Sequence, residues 1–419
     1  MSGAHPNLLF VFPDQLGAWW TSPYGNPCVV TPTLERFAQL STRFTRAYTN
    51  CPLCSPYRGS LFTGRYPSQT GITENGYALP THEQLLANVF NDAGYATHYV
   101  GKWHLGGRPD GLRWVPPEKR GGFQRFIGWD SHHVDHYNGM IWEDDPDTPI
   151  LMRNHETDSL TSIACDRLEA MGDDPFCMFV SYQAPHPPCT PPPEYKALYD
   201  DVVDHYEPNV DPDAWFEHEG WGCDYGIEEF RKRYFGEITQ IDFAFGRILG
   251  ALKRAGLADN TIVVFTSDHG EMNGCHGLFG KGQMYDESIR VPLLIRVPGA
   301  TGKRVIDTPV QTVDFFSTLP ALCGIENPNS REGQSFADLV LGASADTDRP
   351  IIVEYHDLCA IRGDWKLVAA RDSLKPIALY NLVDDPYEQR NRIEDPDAAN
   401  PCAALLADLR AWCDRMPSA

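Results

Sequence analysis

The chain has 419 residues, 42% of them hydrophobic, which is enough to bury a sizeable core and too long for one small domain. Its formal net charge of -22 sets 57 Asp and Glu against 35 Lys and Arg, which excludes nucleic acid and anionic membranes as general partners, because both are bound through excess cations. The first twelve residues run straight into an apolar β-rich stretch with no basic segment or cleavage site, and no run approaches a membrane span. A cytoplasmic location is therefore the expectation, and the 12 cysteines read as free thiols. In chain order, the pattern predicts a strand at 7–12, helices at 33–40 and 82–93, and a strand at 97–100. A helix at 160–171, a strand at 177–182, a long helix at 227–255 and a strand at 261–266 follow. This alternation implies an α/β fold with a mostly parallel sheet between helical layers. Two long stretches, 106–154 and 185–225, are rich in Pro, Gly, His and Trp and have little periodicity. Loops of that length inside a compact domain tend to be functional, so they are expected to wall a substrate pocket. Near residue 348 the character changes to short strand-like pieces at 351–355, 360–362, 365–369 and 377–380, then a helix at 403–415. The expected division is a catalytic domain over 1–347 and a small antiparallel subdomain with a helix over 348–419.

Ligands of open α/β sheets sit beyond the carboxyl ends of the strands. Four expected strands run into reactive residues there: Asp14 and Gln15, Lys102 and His104, His186, and Asp268 and His269. Two carboxylates, an amide oxygen and an imidazole make a mixed oxygen and nitrogen donor set, so a divalent cation is the natural reason to gather Asp14, Gln15, Asp268 and His269. Cys51 and Cys54 form the one C-x-x-C pair. A redox or zinc role for it would need a second pair, and none accompanies it.

The segment Cys54-Ser55-Pro56-Tyr57-Arg58, followed by Leu61-Phe62-Thr63-Gly64, has the form C-x-P-x-R and then a Thr-Gly turn. It resembles the signature of the type I sulfatases of the alkaline phosphatase superfamily, and the resemblance extends from Asn7 to Glu388. It implies an alkaline-phosphatase-like sandwich with a small C-terminal antiparallel subdomain, and a sulfuric ester hydrolase. It also implies that Cys54 is converted by a formylglycine-generating enzyme to formylglycine, whose hydrate is the nucleophile. Further implied are a cation held by Asp14, Gln15, residue 54, Asp268 and His269, with Arg58 beside the nucleophile. Lys102 and Lys281 would contact the sulfuryl oxygens, His104 would assist the nucleophile, and His186 would protonate the leaving oxygen.

The commoner family pattern has Asp-Asp and Asp-Asn where this chain has Asp14-Gln15 and Asp268-His269. Calcium is the expected ion and manganese the alternative that the His269 nitrogen favours. The same departure keeps open a phosphonate monoester hydrolase or phosphodiesterase. An inactive sulfatase-like binding protein is the third reading. Asp130, His132, His133 and His136 either contact the leaving group or form a solvated histidine cluster. The expected partner is a small anionic ester, and a homo-oligomer is compatible with the resemblance.

Overall fold

In the computed structural model, the described residues are 5–80, 83–107, 113–131, 133–201, 206–299, 302–327, 331–343 and 348–416. A nine-stranded sheet runs through the molecule. Its strands are β1 (Asn7–Phe12), β2 (Thr42–Tyr48), β3 (Ala96–Lys102), β4 (Arg125–Trp129), β5 (Phe176–Ser181), β6 (Thr261–Phe265) and β7 (Arg290–Arg296), with the short β8 (Arg304–Ile306) and β9 (Val310–Gln311). The order is β8-β2-β7-β6-β1-β5-β3-β4, and β9 also pairs with β2. The run β6-β1-β5-β3-β4 is parallel throughout. β7 is antiparallel to both β6 and β2.

β1 shows why this sheet is central: all six of its residues are buried, and successive side chains enter opposite layers. Leu9 and Val11 join one cluster with Leu160, Phe230, Ile238 and Phe245, from α4 (Glu156–Glu169) and α5 (Ile227–Arg254). Leu8, Phe10 and Phe12 join the other with Tyr57, Leu61 and Phe90, from α2 (Cys54–Thr63) and α3 (Leu86–Asp92). α1 (Pro32–Ala38) lies on the first face and α6 (Phe315–Leu322) on the second. α2 is buried on every side, so it is a core helix whose first residue can face a dry pocket.

The antiparallel sheet β10-β11-β12-β13 comprises Ile351–Glu354, Asp357–Arg362, Trp365–Ala370 and Pro376–Asn381. α7 (Ala399–Cys413) covers it through Leu405, Leu409 and Trp412. Lys366 of β12 ties this sheet to the large one: fully buried, it pairs with Asp286 at 2.6 Å and Glu388 at 2.8 Å. All 12 cysteines are free. Among the described residues, no helix is long and apolar enough to cross a membrane. The helix expected at 82–93 begins at Leu86, and residues 81–82 lie outside the described residues.

Candidate active site

Beyond Phe12 the chain is gripped immediately. Asp14 N–H donates to the Ala184 carbonyl at 3.3 Å, and Gln15 N–H donates to Asp268 Oδ1 at 2.8 Å. The Tyr234 hydroxyl donates to the Gln15 carbonyl at 2.7 Å. These bonds hold Gln15 at φ 69°, in the left-handed region. The loops after β1, β5 and β6 are thereby fastened to one another. α2 starts at Cys54, where the extended Leu53 precedes the first turn and the Ser55 N–H donates to Asn75 Oδ1 at 3.0 Å. Residue 54 therefore stands at the N-terminal end of a helix, where the dipole favours negative charge.

One turn on, the guanidinium of Arg58 returns to the same pocket and is completely buried. It donates to Asp14 Oδ2 at 3.1 Å, to the Lys102 carbonyl at 2.6 Å and to Ser181 Oγ at 2.8 Å. Lys102 Nζ lies 2.8 Å from Asp14 Oδ2. Cys54 Sγ stands 3.4 Å from Asp14 Oδ1, 3.3 Å from His269 Nε2 and 4.0 Å from Lys102 Nζ. All these residues are at most 1% exposed.

The two carboxylates are driven apart electrically. Burial raises the pKa of Asp14, but Lys102, His186, His269 and Arg58 outweigh it and hold the group well below the usual range. Burial and the Asp14 charge push Asp268 up to about 7. Asp268 Oδ2 is buried without a hydrogen-bond partner. Ligand atoms of Asp14, Cys54, Asp268 and His269 all lie within 4.8 Å of one another, so the donor set fits a divalent cation.

Lys281 reaches the pocket by donating to Gln15 Oε1 at 2.5 Å. His186 is 3% exposed, and its Nδ1 meets the Pro187 carbonyl at 2.6 Å. Burial, then the Lys281 and Lys102 charges, hold its pKa well below the ordinary histidine value. His104 follows β3 at φ 60°, and its carbonyl accepts the Ser55 hydroxyl at 2.6 Å, so the His104 turn and the start of α2 are coupled. Asp130 is buried and accepts the Gly106 N–H at 2.7 Å, which makes it the support of that turn.

His136 lies deeper, stacked on His155 with ring centroids 4.8 Å apart, and His133 packs on it at 5.6 Å. His132 lies outside the described residues.

His136, His155 and Glu237 also bring ligand atoms within 4.8 Å of one another. Here the hydrogen bonds decide against a cation. The Gln183 amide is fixed by Val134, which donates to its Oε1 at 2.6 Å and accepts from its Nε2 at 2.9 Å. That amide nitrogen then faces His136 Nε2 at 3.2 Å, and Thr157 N–H faces His155 Nδ1 at 3.3 Å. The ring protons therefore sit on the other nitrogens, so the cluster offers N–H donors where a metal needs lone pairs.

Residues that the sequence did not single out hold the site together. Glu156 accepts the Ala184 N–H at 2.8 Å and Glu237 accepts the Thr190 N–H at 2.7 Å, bracketing the loop that carries His186. Glu271 accepts from Gln15. A glutamate inside a helix reads as a surface residue, and only the burial of its neighbours along α5 could have flagged Glu237.

Residues 6–325 match the family model for sulfatases, and residues 274–414 match the model for the C-terminal part of N-sulphoglucosamine sulphohydrolase. The chain is 33% identical over 410 residues to the ulvan-active sulfatase of Formosa agariphila, covering 94% of this chain and 78% of that protein. It is 30% identical over 458 residues to the choline-sulfatase of Rhizobium meliloti, covering 98% and 87%. A structure solved in work on the metabolism of multiple glycosaminoglycans by Bacteroides thetaiotaomicron superposes with a TM-score of 0.85 at 26% identity, covering 99% of this chain and 100% of that one. The C-x-P-x-R segment thus opens a buried helix of a sulfatase-like fold, and the chain belongs to the type I sulfatases of the alkaline phosphatase superfamily.

Proposed function

We propose that this sulfatase hydrolyses a small sulfate monoester, with formylglycine at position 54 as nucleophile and one divalent cation, calcium or alternatively manganese, held by Asp14, Gln15, Asp268 and His269. The observation that carries this reading is the convergence on Cys54 Sγ of Asp14, His269 and Lys102 within 3.3–4.0 Å in a buried pocket. When bound, the cation supplies charge that polarises a sulfuryl oxygen and acidifies the nucleophile. An aldehyde hydrate offers one hydroxyl to attack sulfur and a second whose deprotonation expels sulfate by elimination.

The chain's own groups do the rest. Arg58 is fixed by its buried acceptors and holds residue 54 in place. Lys102 and Lys281 meet the charge that builds on the equatorial oxygens, the electrostatic term that dominates such transfers. His186 has its Nδ1 on a carbonyl, which directs Nε2 to the leaving oxygen as proton donor. Burial and the lysines keep this imidazole neutral, and an anionic ester set among the lysines offsets their share. His104 receives the proton from the second hydroxyl. Maturation requires a formylglycine-generating enzyme as partner.

The test compares kcat/KM for an aryl sulfate and a phenyl phosphonate monoester on protein coexpressed with the formylglycine-generating enzyme, with Cys54→Ala as the blank. Sulfate is expected to be preferred, and Cys54→Ala to abolish turnover. A preference for the phosphonate overturns the sulfate assignment, and turnover that survives Cys54→Ala overturns the nucleophile.

A further inference from the structure

Glu271 sits three residues after Asp268 and is completely buried. Its Oε1 accepts the Gly280 N–H at 2.5 Å and the Asn273 N–H at 3.1 Å, and its Oε2 accepts from Gln15 Nε2. All three partners are donors, so the residue acts as a pure acceptor. The consequence falls on Gln15, whose amide has one oxygen and one nitrogen of nearly the same shape. With the NH2 drawn to Glu271, the oxygen must face the other way, where Lys281 Nζ donates to it at 2.5 Å. The same carboxylate grips Gly280, the residue before Lys281. One side chain therefore orients a neutral ligand of the pocket and anchors the loop carrying a cationic one.

We propose that Glu271 is a positioning residue that locks the Gln15 amide with its oxygen toward Lys281 and the Asp14–Asp268 pocket, and so sets the affinity of that pocket for a divalent cation. This rests on reading the pocket as a cation site. A carboxylate is the group that does this without ambiguity, because it cannot offer Gln15 a donor. Glu271→Gln keeps the shape but changes the logic. Its oxygen retains Gly280 and Asn273, its NH2 faces Gln15, and the Gln15 amide inverts, presenting NH2 to Lys281 and to the cation. Adding Gln15→Glu rebuilds the pair with the roles exchanged. The new carboxylate at position 15 accepts the amide at position 271 and keeps an oxygen for the pocket.

The experiment titrates Mn(II) into metal-free protein carrying unmodified Cys54, follows free Mn(II) by electron paramagnetic resonance, and records melting temperature alongside. Glu271→Gln is expected to weaken Mn(II) binding about 10- to 100-fold, the usual cost of losing an outer-shell partner, and the Gln15→Glu/Glu271→Gln double variant to recover most of that loss. Glu271→Gln binding Mn(II) like the parent overturns the proposal, as does a double variant no tighter than the single one. If Glu271→Gln alone fails to fold, the double variant is compared with the parent: Mn(II) binding within about tenfold of the parent supports the proposal, and weaker binding overturns it. A parent protein that binds no Mn(II) overturns the cation reading itself, and this proposal with it.

Discussion

Lys366→Met removes the ammonium that joins the small sheet to the segment behind Lys281. The wild-type lysine is fully buried and donates to Asp286 at 2.6 Å, to the Met284 carbonyl at 3.1 Å and toward Glu388 at 2.8 Å. Burial drives its pKa down, and the two carboxylates more than reverse that. Methionine fills nearly the same volume, so the loss is electrostatic: a buried pair that holds Asp286 and Glu388 is broken, which costs about 3–5 kcal/mol. The sign of the pH dependence follows from Glu388. Burial pushes it up to about 8 even with Lys366 beside it, well above the 4.5 of an unfolded glutamate. The folded state therefore binds a proton that the unfolded chain has released, and stability falls as pH rises from about 4.5 through 8, at up to about 1.4 kcal/mol per pH unit. Without the lysine, the folded pKa rises further and the fall continues to higher pH, so the deficit of the variant grows with pH. Urea unfolding followed by tryptophan fluorescence at pH 6 and pH 8.5 measures it. Adding Glu388→Gln should restore part of the loss at pH 8.5, because a neutral amide needs neither the lysine nor the proton that Glu388 must take up on folding. A deficit under about 1 kcal/mol at pH 8.5, or one that shrinks with pH, would refute the account.

Two further substitutions test the turn and the proton donor. A Cβ at Gly106 would lie 2.1 Å from Asp130 Oδ2, so Gly106→Ala should cost about 1–3 kcal/mol and lower kcat by disturbing the His104 turn; unchanged stability and kcat would show that Asp130 does not support it. His186→Asn should cost an alkyl sulfate about 100- to 10,000-fold in kcat and spare a nitrophenyl sulfate, whose leaving group needs no proton. Equal losses on both esters would remove His186 from that role.

Four of the five parallel strands were legible in the sequence because they are buried and read as apolar runs, as in Leu8 to Phe12 and Ile262 to Phe265. β4 (Arg125–Trp129) lay hidden inside the aperiodic stretch 106–154 expected to be loop. β2 was not legible, because Arg43, Thr45 and Arg46 make it half polar, as suits a strand near the sheet edge. β7 was hidden by Pro292, which reads as a strand breaker; the register shift between Val291 and Leu293 accommodates it. In the site, residues in the wording of a family segment come together in the fold, and the residues that support them were not singled out. Asp130 was noticed as a leaving-group contact or part of a solvated cluster, and its acceptance of the Gly106 N–H was not foreseen. Asn75, Glu156 and Glu271 act through backbone N–H groups or amides brought near by the fold. A side chain that accepts from backbone leaves no trace in local sequence, since any donor will do.

The charge arrangement around residue 54 explains how so acidic a chain can hold an anion, and it makes a further prediction. Arg58 and Lys102 both face one oxygen of Asp14, at 3.1 Å and 2.8 Å, so much of their charge is spent inside the protein. Lys281 instead meets the neutral Gln15 oxygen. An anion entering this pocket therefore finds less positive potential than three cations suggest. A divalent cation on Asp14 competes with Lys102 and Arg58 for that carboxylate and adds charge of its own. Unit charges about 4 Å apart at an effective dielectric near 20 interact by about 4 kcal/mol, and a third of that is already tenfold in affinity. Inorganic sulfate should thus bind chelator-treated protein at least about tenfold more weakly than the same protein reloaded with Ca2+ or Mn2+. The difference should vanish in Asp268→Asn if that variant no longer takes up the cation. Calorimetry on unmodified Cys54 protein reads this without turnover. Equal sulfate affinity with and without the ion would mean that the lysines and Arg58 suffice, and that Asp14 does not restrain them.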